Sequence, residues 1–203
     1  MQDKKLRSFK DKVMNRLIGR WAENINPDNI SWIAFTAGLA CAGAVISGAY
    51  RSGLSLWILN RVLDGLDGYV ARRYNKQSDR GAYLDIITDF AVYAAIPLAF
   101  AWRIDTILLW RSTALLLGIF YINTASWMYL SILIEKRKKE MDNSVLTSVE
   151  MPSGIVEGAE TIILYSLFFT LPAYLIWIFL IMSFLTFLTV IQRLFIAFRY
   201  LSG

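Results

Sequence analysis

Asp64, Asp67, Asp85 and Asp89 fall within one 26-residue stretch, "DGLDGYVARRYNKQSDRGAYLDIITD", with Asp79 as a fifth carboxylate between them. A charge placed in a membrane helix costs about 3 kcal/mol on insertion scales, so such residues are read first as a working site. At 100° per residue, Asp64, Asp67, Gly68, Ala71 and Arg72 share one helical stripe, and Gly81, Asp85 and Asp89 share another. If the stripes face each other, four carboxylates converge on one cavity with Arg72 at its mouth, while Asp79 stays solvated in the turn. Four negative charges so close repel, and an all-oxygen donor set suits Mg2+ or Mn2+, ions that also bind phosphates. Gly68, Ala71 and Gly81 leave the ridge between the acids bare, which lets a flat or phosphorylated ligand approach the backbone. Spacing and charge alone leave three readings open: metal-dependent phosphate chemistry, a proton or cation path, and structural pairing with Arg61 or Arg111.

The elements that must hold these residues are membrane helices. The chain has 203 residues, 56% of them hydrophobic and 18% charged, too apolar for an ordinary soluble domain. A bilayer core needs roughly twenty apolar residues per helix. Six such runs are expected, at 30–50, 54–73, 82–102, 107–134, 153–171 and 173–197. The aspartates lie where the second run ends and the third begins. Residues 1–24 differ in kind: Leu6, Phe9, Val13, Leu17 and Trp21 recur at helical spacing among seven Lys and Arg, the pattern of an amphipathic interfacial helix. The expectation is a single all-α membrane domain over 1–203, with a six-helix transmembrane bundle at 30–197.

Basic residues gather on one side. Seven precede residue 25, four lie between Arg72 and Arg80, and four more occur in "EKRKKE", while the opposite side holds Arg51, Arg103 and Arg111. The positive-inside rule then makes both termini cytoplasmic and puts the aspartates at the cytoplasmic side. The net charge of +5 reflects topology and contact with membrane phospholipids, not nucleic acid, since no recognition motif accompanies the clusters. The chain has no histidine and one cysteine, Cys41, in a run of small residues. Histidine chemistry and an intramolecular disulfide framework are excluded, and Cys41 reads as a packing residue.

With its spacing written out, the stretch is Asp64-x2-Asp67-Gly68-x2-Ala71-Arg72-x8-Gly81-x3-Asp85-x3-Asp89, and it resembles the signature of the CDP-alcohol phosphatidyltransferase family at every defined position. The resemblance implies an integral membrane enzyme of phospholipid biosynthesis that moves a phosphatidyl group from a CDP-lipid, usually CDP-diacylglycerol, to the hydroxyl of a small polar alcohol and releases CMP. It implies two divalent ions, Mg2+ or Mn2+, on Asp64, Asp67 and Asp85, with Asp89 as the base for the acceptor hydroxyl and a further metal contact. It also implies that Gly68, Ala71, Arg72, Ser78 and Gly81 surround the cytidine and diphosphate, and that the protein is a homodimer. Where many members have Pro-Asn before the first span, this chain has "PDNIS", so Asp28 and Asn29 are candidates for the nucleotide or for capping the helix.

The acceptor is less defined. Glu157 and Glu160 open the fifth run, where acids disfavour a phosphorylated acceptor and suit an amine or polyol; pairing with Arg61, Arg111 or the basic loop is the competing reading. Arg61, one turn before Asp64, is a charge partner or an acceptor ligand. Two other activities stay open: a CDP-aminoalcohol phosphotransferase with diacylglycerol as acceptor, and a cation transporter using the same aspartates. The small, minimal architecture suggests a prokaryotic plasma membrane.

Overall fold

The computed structural model describes residues 23–141, 154–156 and 158–201, with side chains outside 138–141 and 200–201. Among the described residues there are six α-helices: α1 (Pro27–Ile46), α2 (Tyr50–Arg73), α3 (Asp79–Ile104), α4 (Ile107–Met141), α5 (Gly158–Thr170) and α6 (Leu175–Leu201). Compact packing divides the chain near Arg103 into two units. The expected amphipathic helix at 1–24 lies, except for its last two residues, outside the described residues.

Four segments are long and apolar enough to cross a membrane: Pro27–Ile46, Asp79–Ile104, Ile107–Arg137 and Pro172–Arg199. The expectation of six spans therefore meets two departures. Helix α2 has the length, at 24 residues, but carries Arg51, Arg61, Asp64, Asp67, Arg72 and Arg73. Helix α5 is apolar but has 13 residues, short of the roughly twenty that a straight crossing needs. Helix α4 runs seven residues beyond the expected end at 134, because Glu, Lys and Arg at 135–140 are good helix formers even where they are poor membrane residues.

Sequence punctuation explains where the helices of the first unit turn. Asn26 caps α1, its side-chain oxygen accepting the Asp28 N–H at 3.0 Å, and Pro27 occupies the first turn, where its missing N–H is harmless. At the other end Gly48 has φ of 81°, and the Ala49 and Gly48 N–H groups donate to Ala44 and Val45 at 2.8 and 2.9 Å. This is a Schellman stop, which a residue with a Cβ would strain. Helix α2 ends similarly on Asn75, with φ of 53° and the Lys76 N–H donating to Ala71 at 2.9 Å. Ser78 then starts α3, its hydroxyl oxygen accepting the Gly81 N–H at 3.0 Å.

Packing in this unit brings α1 and α3 against α2. Ile30, Ala34, Cys41 and Val45 of α1, Trp57 and Val70 of α2, and Val92, Ile96 and Phe100 of α3 are buried. Cys41 is a fully buried free thiol, as its small-residue setting led us to expect. Asn60 of α2 donates to the Ala34 carbonyl at 2.8 Å, and Trp57 meets Tyr93 of α3 edge to face with centroids 5.9 Å apart. In the second unit, Leu116 of α4, Tyr165 and Phe168 of α5, and Phe179 and Met182 of α6 are buried, with the Phe168 and Phe179 rings 4.8 Å apart. Arg193 of α6 donates to the backbone and side-chain oxygens of Asn123 on α4, at 3.1 and 2.7 Å.

Gly38 marks the closest approach in the first unit. A Cβ there would collide with both Val92 methyl groups and come within 3.2 Å of the Asn60 amide nitrogen. Gly43, one helix face away, has open space around it. Gly38→Ala is expected to destabilise the protein by about 1–3 kcal/mol through overpacking against a stiff β-branched side chain. Gly43→Ala is expected to be neutral or mildly stabilising. Thermal unfolding of the two variants in detergent checks the difference, and equal unfolding temperatures would contradict the packing.

Candidate active site

Helix α2 carries Asp67 and Asp64 about two and two and a half turns from its polar end, and α3 carries Asp85 and Asp89 about two and three turns into its body. Asp67 is the most buried of the carboxylates, at 5% exposure. Its Oδ2 accepts the Ser31 hydroxyl of α1 at 2.5 Å, so the "PDNIS" segment serves the site through its serine. Asp64, Asp67 and Asp89 line one narrow pocket together with Ser31, Asn60 and Thr88. Asp85 is exposed and stands outside that lining.

Two of the carboxylates lining the pocket contact one fixed cation. Arg61 of α2 donates to Asp89 through two nitrogens, Nη2 to Oδ1 at 2.7 Å and Nη1 to Oδ2 at 3.4 Å, and lies 3.6 Å from Asp64 Oδ2. Arg61 thus forms ion pairs with two of the aspartates. Its side chain is 7% exposed. Among the described residues, no three acidic, histidine or cysteine side chains stand close enough, as placed, to hold one ion together. Expected convergence of all four aspartates is thus reduced to three around the pocket, with two of them drawn onto the arginine. The donors themselves fit a hard divalent ion, since every candidate ligand is a carboxylate or hydroxyl oxygen.

A second, wider pocket of about 420 Å³ opens beside the turn between α2 and α3, lined by Asn24, Asn26, Pro27, Asp28, Lys76 and Ser78. Asp28 and Ser78 converge on Gly81: a Cβ on that glycine would lie 3.2 Å from Asp28 Oδ1 and 3.1 Å from Ser78 Oγ. Asp28 also lies 4.0 Å from Arg80 Nε, while Asn29 is exposed. The cap of α1 is Asn26, not Asp28 or Asn29, which already lie in the first turn of the helix. Gly68 lets the Arg72 guanidinium fold back over α2, with Nη1 3.0 Å from where a Cβ would sit. Ala71 is half-buried beside it. Lys76 ties the turn down by donating to the Glu23 and Ile25 carbonyls, at 2.5 and 2.9 Å.

Of the residues suggested for the acceptor, Arg61 stands beside Asp64 and Asp89 in the first unit. Arg111 is exposed on α4 and Glu160 is exposed in the first turn of α5, both in the second unit, and Glu157 lies outside the described residues. Sequence reasoning missed Asn26, Asn60, Tyr93 and Lys76. Of these, Asn26 had a local signal, Asn-Pro ahead of an apolar run, which reads as a helix start.

Comparison with known proteins places this geometry. The profile of the CDP-alcohol phosphatidyltransferase family matches residues 24–197, which includes both pockets. The inner membrane protein YnjF of Escherichia coli is 32% identical over 154 residues, covering 74% of this chain and 72% of that protein. A bifunctional IPC transferase and DIPP synthase of Archaeoglobus fulgidus is 32% identical over 83 residues, 41% of this chain and 17% of that protein. The phosphatidylinositol phosphate synthase PgsA1 of Mycobacterium tuberculosis shares the fold. Its structure with manganese and citrate superposes with a TM-score of 0.66 at 19% identity over 93% of this chain and 87% of that one. The form with CDP-DAG bound gives a TM-score of 0.66 at 18% identity over 96% and 94%. Four apolar helices of spanning length and the inner-membrane relative make this an integral membrane protein. An aspartate signature complete from Asp64 to Asp89, a family profile over most of the chain and a shared fold together establish that the chain belongs to the CDP-alcohol phosphatidyltransferase family.

Proposed function

We propose that this protein transfers a phosphatidyl group from CDP-diacylglycerol, or a related CDP-lipid, to the hydroxyl of a small polar alcohol, with release of CMP. The observation that carries the reading is the clustering of Asp64, Asp67 and Asp89 around one pocket, beside a wider pocket edged by Asp28 and Ser78. A family fold that in PgsA1 holds CDP-DAG, and in another crystal manganese, supports a CDP-lipid donor and a divalent cofactor.

In this reading Asp64, Asp67, Asp85 and Asp89 hold Mg2+ or Mn2+, two ions in all. A divalent ion bound there supplies charge neutralisation for the diphosphate and for the departing CMP oxygen. Ser31 fixes the Asp67 carboxylate by donating its hydroxyl hydrogen. Arg72, whose guanidinium lies over Gly68, pairs with phosphate oxygens in the forked geometry that lysine lacks. Gly81 and Ala71 keep the helix ridges low enough for the nucleotide, and Asp28 and Ser78 face it from the wider pocket. Asn29, exposed beside Asp28, is a weaker candidate for the same nucleotide. Asp89 accepts the proton of the acceptor hydroxyl as its oxygen attacks phosphorus; the P–O bond to CMP breaks, and CMP leaves with the electron pair. By charge alone Glu157 and Glu160 suit an uncharged or amine-bearing alcohol over a phosphorylated one, and pairing with basic residues is the competing reading. The whole chain is taken as one membrane domain with six spans, both termini and the site cytoplasmic, in a prokaryotic plasma membrane and as a homodimer.

Purified protein given CDP-diacylglycerol, Mn2+ or Mg2+ and a panel of glycerol phosphate, inositol phosphate, serine, ethanolamine, choline and free polyols is expected to release CMP with one of them. Chelation with EDTA and Asp85→Asn should each abolish release. Flux of cations in liposomes without nucleotide, and no CMP with any acceptor, would favour the transporter reading instead.

Asp89→Asn is expected to lower turnover by about 10²–10⁴-fold, the usual worth of a general base, while CDP-diacylglycerol binding persists. Near-normal turnover would remove Asp89 from that role. Ser31→Ala is expected to raise the Mn2+ concentration for half-maximal rate by about 10-fold or more, as loss of a partner behind a metal ligand commonly does. An unchanged metal titration would mean that Asp67 does not depend on Ser31.

A further inference from the structure

We infer that Arg61 is a positioning residue for the transfer, one that orients the Asp89 carboxylate toward the acceptor hydroxyl; this rests on the activity proposed above. Arg61 belongs to α2 and Asp89 to α3, 28 residues apart. Their contact is a fork, with Nη2 on Oδ1 at 2.7 Å and Nη1 on Oδ2 at 3.4 Å, so both oxygens of Asp89 are located by one rigid, planar donor.

Arg61 is itself immobilised by groups outside the aspartate cluster. Its Nε donates to Asn60 Oδ1 at 2.8 Å, and Nη1 donates to the Tyr93 hydroxyl at 3.0 Å. The Trp57 and Tyr93 rings each lie 4.9 Å from the guanidinium carbon. Asn60 is 1% exposed and is anchored in turn to the Ala34 carbonyl of α1 at 2.8 Å. The result is a continuous chain of contacts from the α1 backbone through Asn60 and Arg61 to Asp89, with no ligand needed to hold it. Had Arg61 been a substrate-binding arginine, one would expect donors left pointing at open space. Here Nε and both terminal nitrogens have protein partners, and the side chain is 7% exposed.

Such a fork leaves chemistry open on Asp89. A carboxylate offers about four lone-pair positions, and two donors occupy only half of them. The remaining positions stay available to the acceptor hydroxyl or a metal ion, but in a direction set by Arg61. A misplacement of about 1 Å in such a group costs roughly 100-fold in rate.

The test is a kinetic double-mutant cycle between Arg61 and Asp89, with wild-type CMP release as its reference. Arg61→Met is expected to lower kcat about 100-fold, and Arg61→Lys about 10-fold, since lysine restores charge without the fork. Donor and acceptor KM should stay within about threefold, and in an Asp89→Asn background either substitution should lower kcat by no more than about twofold. Thermal unfolding gives a readout independent of activity: the two substitutions together should lower the unfolding temperature by less than their sum. Equal kcat losses in both backgrounds, or additive unfolding shifts, would overturn the role. A raised acceptor KM at normal kcat would also overturn it, because Arg61 would then bind the acceptor. If Arg61→Met does not fold, Tyr93→Phe, which removes one partner of the guanidinium and keeps its charge, enters the same cycle with an expected loss of about threefold. A loss that persists without Asp89, or no loss at all, contradicts the inference. Absence of CMP release by the wild type would instead overturn the activity on which the role rests.

Discussion

Carboxylate charge held among apolar helices has to be compensated within reach of each group, and the first unit is organised by that requirement. Asp67 is met by the Ser31 hydroxyl from α1, while Asp64 and Asp89 share Arg61 from α2. The compensating groups come from different helices than most of the charges they serve. Three helices are thereby held in one register by polar contacts, where lipid-facing packing alone would permit sliding. The interaction energies involved are larger than at a protein surface, because removing one partner strands the other away from water.

Local features follow from the need to bring these groups together. Gly38 allows α1 to approach Val92 of α3 and Asn60 of α2 closely. The left-handed stops at Gly48 and Asn75 reverse the chain in few residues, so that α2 lies against α1 over its length and its acidic end meets the start of α3. Lys76 closes the same end by holding the segment before α1. The second unit answers a similar demand with Arg193 of α6, whose guanidinium is received by the two oxygens of Asn123 on α4.

Much of this was legible in the sequence, and the limits have a physical origin. The aspartate spacing, the two helical stripes and the apolar runs beginning at 30, 82 and 107, against helix starts at Pro27, Asp79 and Ile107, follow from local signals. Partners of Arg61 were not legible. Trp57 and Asn60 lie within one turn of it, but Tyr93 and Asp89 lie on another helix, and no local pattern states which faces of α2 and α3 meet. Asp85 shows the converse: it shares its stripe with Asp89, yet Asp89 pairs with Arg61 while Asp85 is exposed and outside the pocket lining. At α5 the expected apolar run of 153–171 is longer than the helix, of which 13 residues are described.

The central claim is that the aspartates of α2 and α3 hold the divalent ion that serves transfer from a CDP-lipid. Anomalous diffraction at the manganese edge, from crystals grown with Mn2+ and CDP-diacylglycerol, locates the ion directly. The account predicts anomalous density within coordination distance of Asp64, Asp67 and Asp85, against the donor diphosphate. Bound CDP-diacylglycerol with manganese elsewhere, or with no manganese at these carboxylates, would contradict it.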